Sequence, residues 1–531
     1  MINFPQDPAM RPLERAARRL LGALDAAATR AWGWRWNPLH QTGTVAVAML
    51  LLLLVTGAYL VFVYRVGAPS ESVARIAASP WLGGWIRTLH RYASDLFIVA
   101  AVLHLARMFA QARSWGPRTL AWLSGLILLG AGLICAWTGF VMAWDSFGER
   151  LAREGARLLD VLPIFSEPLS RMFAGDRPIP SAFFFVNLFV HIGLPLAMGV
   201  LLWLHVSRVA RPVLLPPKRI TWTIVAALTI AAVLVPARLG PAANPFTIPS
   251  ETPVNLFSAW WLPFTERAPA GMIWGIELAA VLCLVLVPRL ARRPRQESWA
   301  PSVVDPRLCT GCNQCPQDCP WEAITMVPRD DDRPSLVALV NPARCVSCGI
   351  CAGSCAPMGV GPPGRTGRDQ LADVRQVIAA GLAPIESKPV VAICCAQAPR
   401  GQVDALRARG AHLHIVSCAG NLHSSVVEMF VRSGAPGVVV CACPPRDCVS
   451  REGPKWLVER LFNDREAELQ PRVDRRRVKV MTLAPGAARE ALAEYDAIAA
   501  GFAALDRPAE EPGELELECD PVPVVAGKGR R

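Results

Sequence analysis

The stretch RTLHRYASDLFIVAAVLHLAR (87–107) lies in a long apolar run and contains two histidines, His90 and His104, fourteen positions apart. On an α-helix, fourteen residues rise ~21 Å and return the side chain to within ~40° of the same face. Ionisable side chains are rare in membrane helices and usually face the interior of a bundle. The stretch therefore predicts a membrane helix with two inward-facing histidines at different depths.

A second apolar run, LFVHIGLPLAMGVLLWLHVSR (188–208), repeats the fourteen-residue spacing with His191 and His205. Both runs begin at the same face of the membrane in the topology given below, so His90 should meet His191, and His104 should meet His205. Two iron porphyrins stacked in a four-helix bundle need one axial histidine from each of two helices at each level. Two matched pairs therefore predict two bis-histidine b-type haems, with isolated structural histidines as the alternative.

The composition agrees with a membrane protein that also carries soluble modules. Of the 531 residues, 52% are hydrophobic and only 18% are charged. The net charge of +12 comes from arginines beside apolar runs, which indicates membrane topology rather than nucleic-acid binding. Six runs approach the length of a membrane helix: 43–64, 89–111, 118–143, 183–208, 220–237 and 269–288.

Charge in the connecting loops sets the predicted orientation. The flanks 111–118, 207–219 and 288–296 are strongly basic, while the alternate loops mix acids and bases. The positive-inside rule places the basic set in the cytoplasm of a bacterial cell, with the chain multi-pass in the inner membrane. Residues 1–42 are then a cytoplasmic amphipathic segment, and the chain after residue 296 is cytoplasmic.

Glycines repeat the fourteen-residue step on the first and third spans and would let a flat macrocycle approach the backbone; these are Gly43, Gly57, Gly125 and Gly139. Together with the two histidine stretches, TGFVMAWD (138–145) resembles cytochrome b of the quinol-oxidising bc and bf complexes. The resemblance is good from 30 to about 210 and weak to about 290. It implies that Arg87 and Arg107 face haem propionates, that a quinone is bound, and that the chain forms a homodimer.

One segment departs from that family. The family has a Pro-Glu-Trp-Tyr quinol-oxidation motif where this chain reads Pro253, Val254, Asn255 and Leu256. The glutamate that takes a quinol proton is missing, although Glu251 lies close by. Quinol oxidation at the outer face is therefore not predicted by the resemblance.

Beyond residue 296 the chain carries 15 of its 17 cysteines, which a reducing cytoplasm favours as metal ligands over disulfides. CTGCNQCPQDC (309–319) and CVSCGICAGSC (345–355) are two C-x2-C-x2-C-x3-C runs, the spacing of a bacterial-type dicluster [4Fe-4S] ferredoxin. Zinc sites rarely place three cysteines at steps of three. In this spacing the fourth cysteine of each run binds the other cluster, so the predicted ligand sets are Cys309, Cys312, Cys315 and Cys355 (the first cysteine set) and Cys345, Cys348, Cys351 and Cys319 (the second cysteine set).

Residues 388–502 alternate short β-type runs with helical ones, which predicts a small α/β doubly wound domain. Cysteines end three of the strands, where ligands bind in such sheets. The segment resembles the delta subunit of methyl-viologen-reducing hydrogenases through ICC (393–395), VSCAGNL (416–422) and CACPPRDC (441–448). The resemblance implies a [2Fe-2S] cluster on Cys395, Cys418, Cys443 and Cys448 (the terminal cysteine set). Cys394 and Cys441 are spare thiols or alternative ligands, and a dithiol site or structural cysteines remain alternatives.

The predicted fold is multi-domain: an all-α transmembrane bundle, a small α+β ferredoxin module and an α/β terminal domain. Its boundaries are 1–42 amphipathic N-terminus, 43–212 cytochrome b-like di-haem domain, 213–296 two further spans, 297–360 ferredoxin, 361–387 linker, 388–502 [2Fe-2S] domain and 503–531 disordered tail.

The expected function is respiratory electron transfer between the quinone pool and a cytoplasmic redox complex of heterodisulfide-reductase, hydrogenase or flavin dehydrogenase type, with the terminal domain as the outermost member. Reverse flow stays open, since moving an electron against ~100 mV costs ~2.3 kcal/mol. The alternatives are a membrane anchor for such a complex with no quinone site, and a terminal thiol–disulfide reductase.

Overall fold

The computed structural model describes residues 12–505 except 80, 165, 174–178, 208–210, 245–254, 256, 258, 266, 292–299, 332, 381–388 and 464. Residues Glu251, Pro253, Val254 and Leu256 of the departing segment, and the predicted tail from 506 onward, lie outside the described residues. We call residues 12–291 the helical region, 300–361 the two-run module and 366–505 the terminal module.

The helical region contains ten described α-helices: α1 (Pro12–Trp32), α2 (Thr42–Val63), α3 (Pro69–Ala78), α4 (Gly83–Ala110), α5 (Thr119–Ala143), α6 (Ser146–Leu159), α7 (Ser181–Ser207), α8 (Lys218–Leu234), α9 (Leu262–Thr265) and α10 (Ala270–Leu290). Each of the six predicted spans forms a helix. Five of the described helices, α2, α4, α5, α7 and α10, are long and apolar enough to cross a membrane. The sixth, α8, has 17 residues and begins with Lys218 and Arg219.

Helices α2 and α4 pack along each other, as do α5 and α7, and together they enclose an apolar core. Met49, Ala93 and Met198 are almost completely buried there. Large apolar side chains on the opposite faces are exposed, including Phe62 and Phe189. Apolar side chains on both the inner and the outer faces of a helix bundle are typical of a bundle surrounded by lipid.

The two-run module is built on two small antiparallel ladders. One joins β1 (Val303–Val304) to β4 (Val360–Gly361), and the other joins β2 (Ile324–Val327) to β3 (Val337–Val340). A one-turn helix follows the start of each cysteine run, α11 (Gln314–Asp318) and α12 (Ile350–Gly353). The cysteines themselves form much of the buried core.

The terminal module has a four-stranded parallel sheet in the order β6-β5-β7-β8, with β5 (Val391–Cys395), β6 (His412–Val416), β7 (Val438–Ala442) and β8 (Val478–Thr482). Its helices are α13 (Gly367–Ala379), α14 (Arg400–Ala408), α15 (Ser424–Arg432), α16 (Gly453–Phe462) and α17 (Ala488–Leu505). Apolar residues of α13, α15 and α16 pack on one face of the sheet, and those of α14 and α17 pack on the other.

The segment 361–387 differs from the predicted linker, because α13 occupies most of its described part. Thr366 and Asp369 form a reciprocal capping box at its N-terminus. Val374 is fully buried against the terminal module. A helix capped at one end and buried on one face belongs to the module that it covers, so the linker assignment was wrong for 367–379.

Arg460 joins the terminal and two-run modules and is only 1% exposed. Its guanidinium donates to Ser354 Oγ at 3.0 Å and to the Gly420 carbonyl at 2.6 Å. Burial lowers its pKa to about 10, so the group stays charged at neutral pH. A buried charge of this kind requires both modules to supply acceptors.

We expect Arg460→Met to lower the stability of the docked modules by about 1.5–3 kcal/mol for each charged hydrogen bond lost. The matched control is Arg472→Met, since Arg472 is largely exposed and its ion pair among the described residues is with Glu428. Thermal unfolding of the full-length protein should show a midpoint several degrees lower for Arg460→Met alone. Equal midpoints for both variants would contradict a joining role for Arg460.

Candidate functional site

The structure brings the four predicted histidines together in two pairs. The rings of His90 on α4 and His191 on α7 (the outer pair) have their centroids 6.4 Å apart. His104 and His205 (the inner pair), one level along the same two helices, line one cavity together. The pairing is the one that the span topology predicts.

Hydroxyl side chains of the neighbouring helices hold three of these rings by their Nδ1 atoms. Thr56 Oγ1 lies 2.8 Å from His90 Nδ1, Thr138 Oγ1 lies 3.0 Å from His191 Nδ1, and Ser124 Oγ lies 3.0 Å from His205 Nδ1. When the Nδ1 side of an imidazole is bound in this way, its Nε2 is oriented for a metal.

Each of those three hydroxyl residues directly precedes one of the predicted glycines, in Thr56-Gly57, Ser124-Gly125 and Thr138-Gly139, and the sequence repeats the dipeptide at the fourth glycine as Thr42-Gly43. Sequence reasoning found the glycines and missed the hydroxyls, although the dipeptide recurs at the same fourteen-residue step. The repeated hydroxyl–glycine dipeptide is the sequence signal from which these hydroxyl residues could have been predicted.

The glycines contact the histidine rings rather than only making room for a macrocycle. A Cβ atom at Gly139 would lie 2.9 Å from His191 Cε1, and one at Gly43 would lie 2.8 Å from His104 Cε1. At Gly57 and Gly125 the same atom would lie 3.3 Å from His90 and His205. Each imidazole therefore lies against a glycine of the adjacent helix, which sets the depth of the ring in the bundle.

A cavity of about 390 Å³ (the inner cavity) is lined by the inner pair and its two glycines, and this volume is typical of cofactor sites. Apolar side chains such as Phe97 and Leu202 form much of its wall. Arginines outnumber the acidic Asp447 and Glu452 in its lining and make part of the wall basic (the basic rim); the six are Arg107, Arg113, Arg118, Arg211, Arg446 and Arg451. An apolar slot between two imidazoles with a basic rim fits a haem and its carboxylates.

The two arginines predicted to face propionates have protein partners. Arg87 donates to the Ala237 carbonyl at 2.8 Å. Arg107 lines the inner cavity, but its guanidinium pairs with Asp25 at 2.9 Å and with Asp447 at 2.6 Å. Their role toward a haem stays a prediction.

The two-run module gathers its eight cysteines into the two predicted sets. Cys309, Cys312, Cys315 and Cys355 enclose one small space, and Cys319, Cys345, Cys348 and Cys351 enclose another. The fourth cysteine of each run lies with the first three of the other run. Backbone N–H groups already donate to these sulfurs, for example Gly359 to Cys355 at 3.2 Å, which is the environment of cluster thiolates.

The four cysteines of the terminal set also converge, although they come from three separate segments: the end of β5, the loop after β6 and the loop after β7. Cys443 Sγ lies 3.5 Å from Cys395 Sγ, and Cys418 contacts both Cys395 and Cys448. A Cβ atom at Gly453 would lie 3.1 Å from the sulfurs of Cys418 and Cys448, so a glycine is needed beside them.

Cys394 and Cys441 lie together on the other face of the sheet, because side chains alternate along a strand. The same alternation puts Cys395 and Cys443 on the face that carries the terminal set. Strand geometry thus favours Cys443 over Cys441 as a ligand, and the assignment itself stays a prediction.

The terminal set adjoins the membrane helices instead of lying at the outermost end of the chain. Cys448 lines the inner cavity, and Arg113 donates to its carbonyl at 2.5 Å. Burial would raise the pKa of Asp447, but the positive charges of Arg107 and Arg113 and the hydrogen bond from Arg107 hold that pKa below its usual range. The terminal module therefore lies against the helical region, a position that the sequence did not predict, and its place in the order of electron transfer stays a prediction.

Three family models match the chain. They are described as cytochrome b/b6 (residues 35–212), 4Fe-4S dicluster domain (308–359) and methyl-viologen-reducing hydrogenase, delta subunit (390–505). Among solved structures, the chain is similar to one titled "Hyperthermophilic respiratory Complex III", with 18% sequence identity and a TM-score of 0.38. That match covers 48% of this chain and 75% of the other.

The order of the matched families is the order that the sequence predicts. A cytochrome b region implies haem, and a dicluster region implies [4Fe-4S] clusters. Together with the long apolar helices, they make the chain a multi-pass membrane protein of electron transfer.

Gly139→Ala should disturb the outer histidine pair, because its methyl group would overlap the His191 ring. Overpacking of this kind costs about 1–3 kcal/mol. Gly130→Ala is the matched control on the same helix, since nothing lies within 4 Å of the added atom. Redox titration of the b-type absorbance should show one component shifted or lost in Gly139→Ala alone. An unchanged titration would contradict the close contact.

Cys443→Ala should remove the terminal cluster and lower the cluster iron from about ten to about eight atoms per chain. Cys441→Ala, two residues away on the opposite face, should keep about ten. Iron and acid-labile sulfide analysis of the purified chain decides between them. The reverse pattern would move the ligand assignment to Cys441.

Proposed function

We propose that this chain carries electrons between a low-potential cytoplasmic redox complex and the quinone pool, through iron–sulfur clusters and two b-type haems. The observation that carries the proposal is the inner cavity: the inner histidine pair and Cys448 of the terminal set line the same space. A haem slot and a cluster loop that share a wall would hold two redox centres next to each other, which supports electron exchange between them.

In this proposal the outer and inner histidine pairs are axial ligands, and the three cysteine sets bind two [4Fe-4S] clusters and one [2Fe-2S] cluster. The haems and clusters supply reversible one-electron chemistry when bound. The protein contributes ligand spacing, the Nδ1 hydroxyl contacts and a buried basic rim. We interpret the terminal module as a doubly wound [2Fe-2S] domain.

The basic rim of the inner cavity also has a functional consequence. Burial lowers the pKa of Arg113 to about 10, while Asp447 and the Cys448 thiolate oppose that shift. The group therefore stays cationic and favours any species that gains negative charge on reduction. The rim thus supports electron acceptance at the cytoplasmic end of the bundle.

A quinol titration tests the quinone link. We expect a reduced short-chain quinol to reduce part of the b-type haem in the purified, fully loaded chain, and a quinone-site inhibitor to prevent it. The anchor function predicts no reduction by quinol and no effect of inhibitor, with the clusters and haems still present. Haem reduction from the iron–sulfur side, measured in parallel, shows that the preparation is competent.

A further inference from the structure

The terminal module meets the two-run module at a point where their cysteines are neighbours. Arg365 donates to Ser347 Oγ at 2.7 Å and to Ser417 Oγ at 3.4 Å. Ser347 directly precedes Cys348 and Ser417 directly precedes Cys418. One guanidinium therefore bridges the residue before a cysteine of the second set and the residue before a cysteine of the terminal set, so these two sets face each other across this contact.

Further buried contacts hold the same junction. Asn421 donates to the Gly349 carbonyl at 2.9 Å, and Gly349 has no room for a side chain because that amide lies against it. Close to Asn421 in the chain, the Gly420 carbonyl accepts a hydrogen bond from Arg460, which also donates to Ser354 Oγ of the two-run module. The facing sets are thus fixed by packed, charge-assisted contacts rather than by a flexible tether.

The opposite side of the terminal set meets the helical region. Asp447 accepts a hydrogen bond from Gln111 at 2.6 Å and pairs with Arg107 at 2.6 Å. Arg107 lies on α4, three residues from His104. Cys448, next in the chain, lines the inner cavity with His104 and His205.

The first cysteine set lies on the remaining side of the two-run module. Cys309 and Cys312 of the first set are half-buried, whereas Cys395, Cys418, Cys443 and Cys448 of the terminal set are all buried. Arg307, two residues before Cys309, has an 88% exposed side chain. A soluble partner would therefore reach the first set more readily than the terminal set.

We propose that the terminal cysteine set is the middle member of the relay, between the second cysteine set and the inner histidine pair, with the first cysteine set at the end that a soluble partner meets. This order rests on the proposed electron-transfer function. It moves the terminal module from the outer end of the relay, where the sequence analysis put it, to the middle. Asp447 and Arg365 are positioning residues on its two sides.

Each transfer moves one electron and breaks no bond. A reduced iron–sulfur or flavin partner loses an electron at the first set, and the inner haem site gains it. Two such electrons and two protons convert a quinone to a quinol at the end of the path. With a quinol as the reductant, the same steps run in reverse.

One competing route is visible. Trp321 lies in the wall of the inner cavity and in the wall of the space enclosed by the second set. The guanidinium groups of Arg118 and Arg451 lie 4.6 and 5.0 Å from its ring centroid. Electrons that passed directly by Trp321 would bypass the terminal set.

A flash-reduction experiment separates the routes in the full, loaded chain. A ruthenium photoreductant is attached at Arg307→Cys, in a background carrying Cys283→Ser and Cys519→Ser, and haem reduction is followed optically. Cys443→Ala should slow this step by about tenfold or more, while Cys441→Ala leaves the rate unchanged. An unchanged rate in Cys443→Ala, with its [4Fe-4S] signals and haem intact, would overturn the proposal in favour of the Trp321 route.

A second measurement needs no variant. In the unaltered chain, the electron paramagnetic resonance signal of the terminal cluster should relax faster both when the neighbouring cubane is reduced and when the inner haem is ferric. Enhancement by the cubane alone would put the terminal set at the end of the relay and overturn the proposal. Neither outcome depends on quinone, so a failed quinol titration leaves this test standing.

Discussion

The guanidinium of Arg107 holds three distant parts of the chain together at one end of the bundle. It lies on α4, one turn from His104, and pairs with Asp25 of α1 and Asp447 of the terminal module. Since a buried charge left without its partner is strongly unfavourable, docking of α1 and docking of the terminal module stabilise each other. The amphipathic N-terminal helix is therefore part of the junction and more than a surface helix on the membrane.

A second constraint operates inside the bundle, where a hydroxyl and a glycine on one helix meet a histidine on the next. The hydroxyl fixes the ring through Nδ1, and the missing side chain lets the ring lie against the backbone. Both features are needed at the same helical turn. The fourteen-residue step thus spaces whole units of hydroxyl, glycine and histidine, and not histidines alone.

Much of this arrangement could be predicted because its signals are local. Spans, histidine spacing and the two cysteine runs each depend on fewer than about thirty consecutive residues, and helix and strand periods convert that spacing into a face. The junction could not be predicted in the same way. Nothing near Asp447 in sequence indicates Arg107, and nothing near Arg365 indicates that it joins Ser347 to Ser417. Such pairs form only when the modules dock. For the same reason the sequence analysis assigned residues 367–379 to a linker and placed the terminal module at the outer end of the relay.

The charge distribution at the junction determines how rigidly the modules are held relative to one another. Exposed pairs such as Arg476 with Asp474 are screened by salt within about 10 Å, so they contribute little to a fixed geometry. The contacts of Arg107 and Arg460 are buried, where screening is weak and each group needs its particular partner. Electron transfer between neighbouring sites depends on their separation, and a junction held by buried arginines keeps that separation constant while the electron adds its charge.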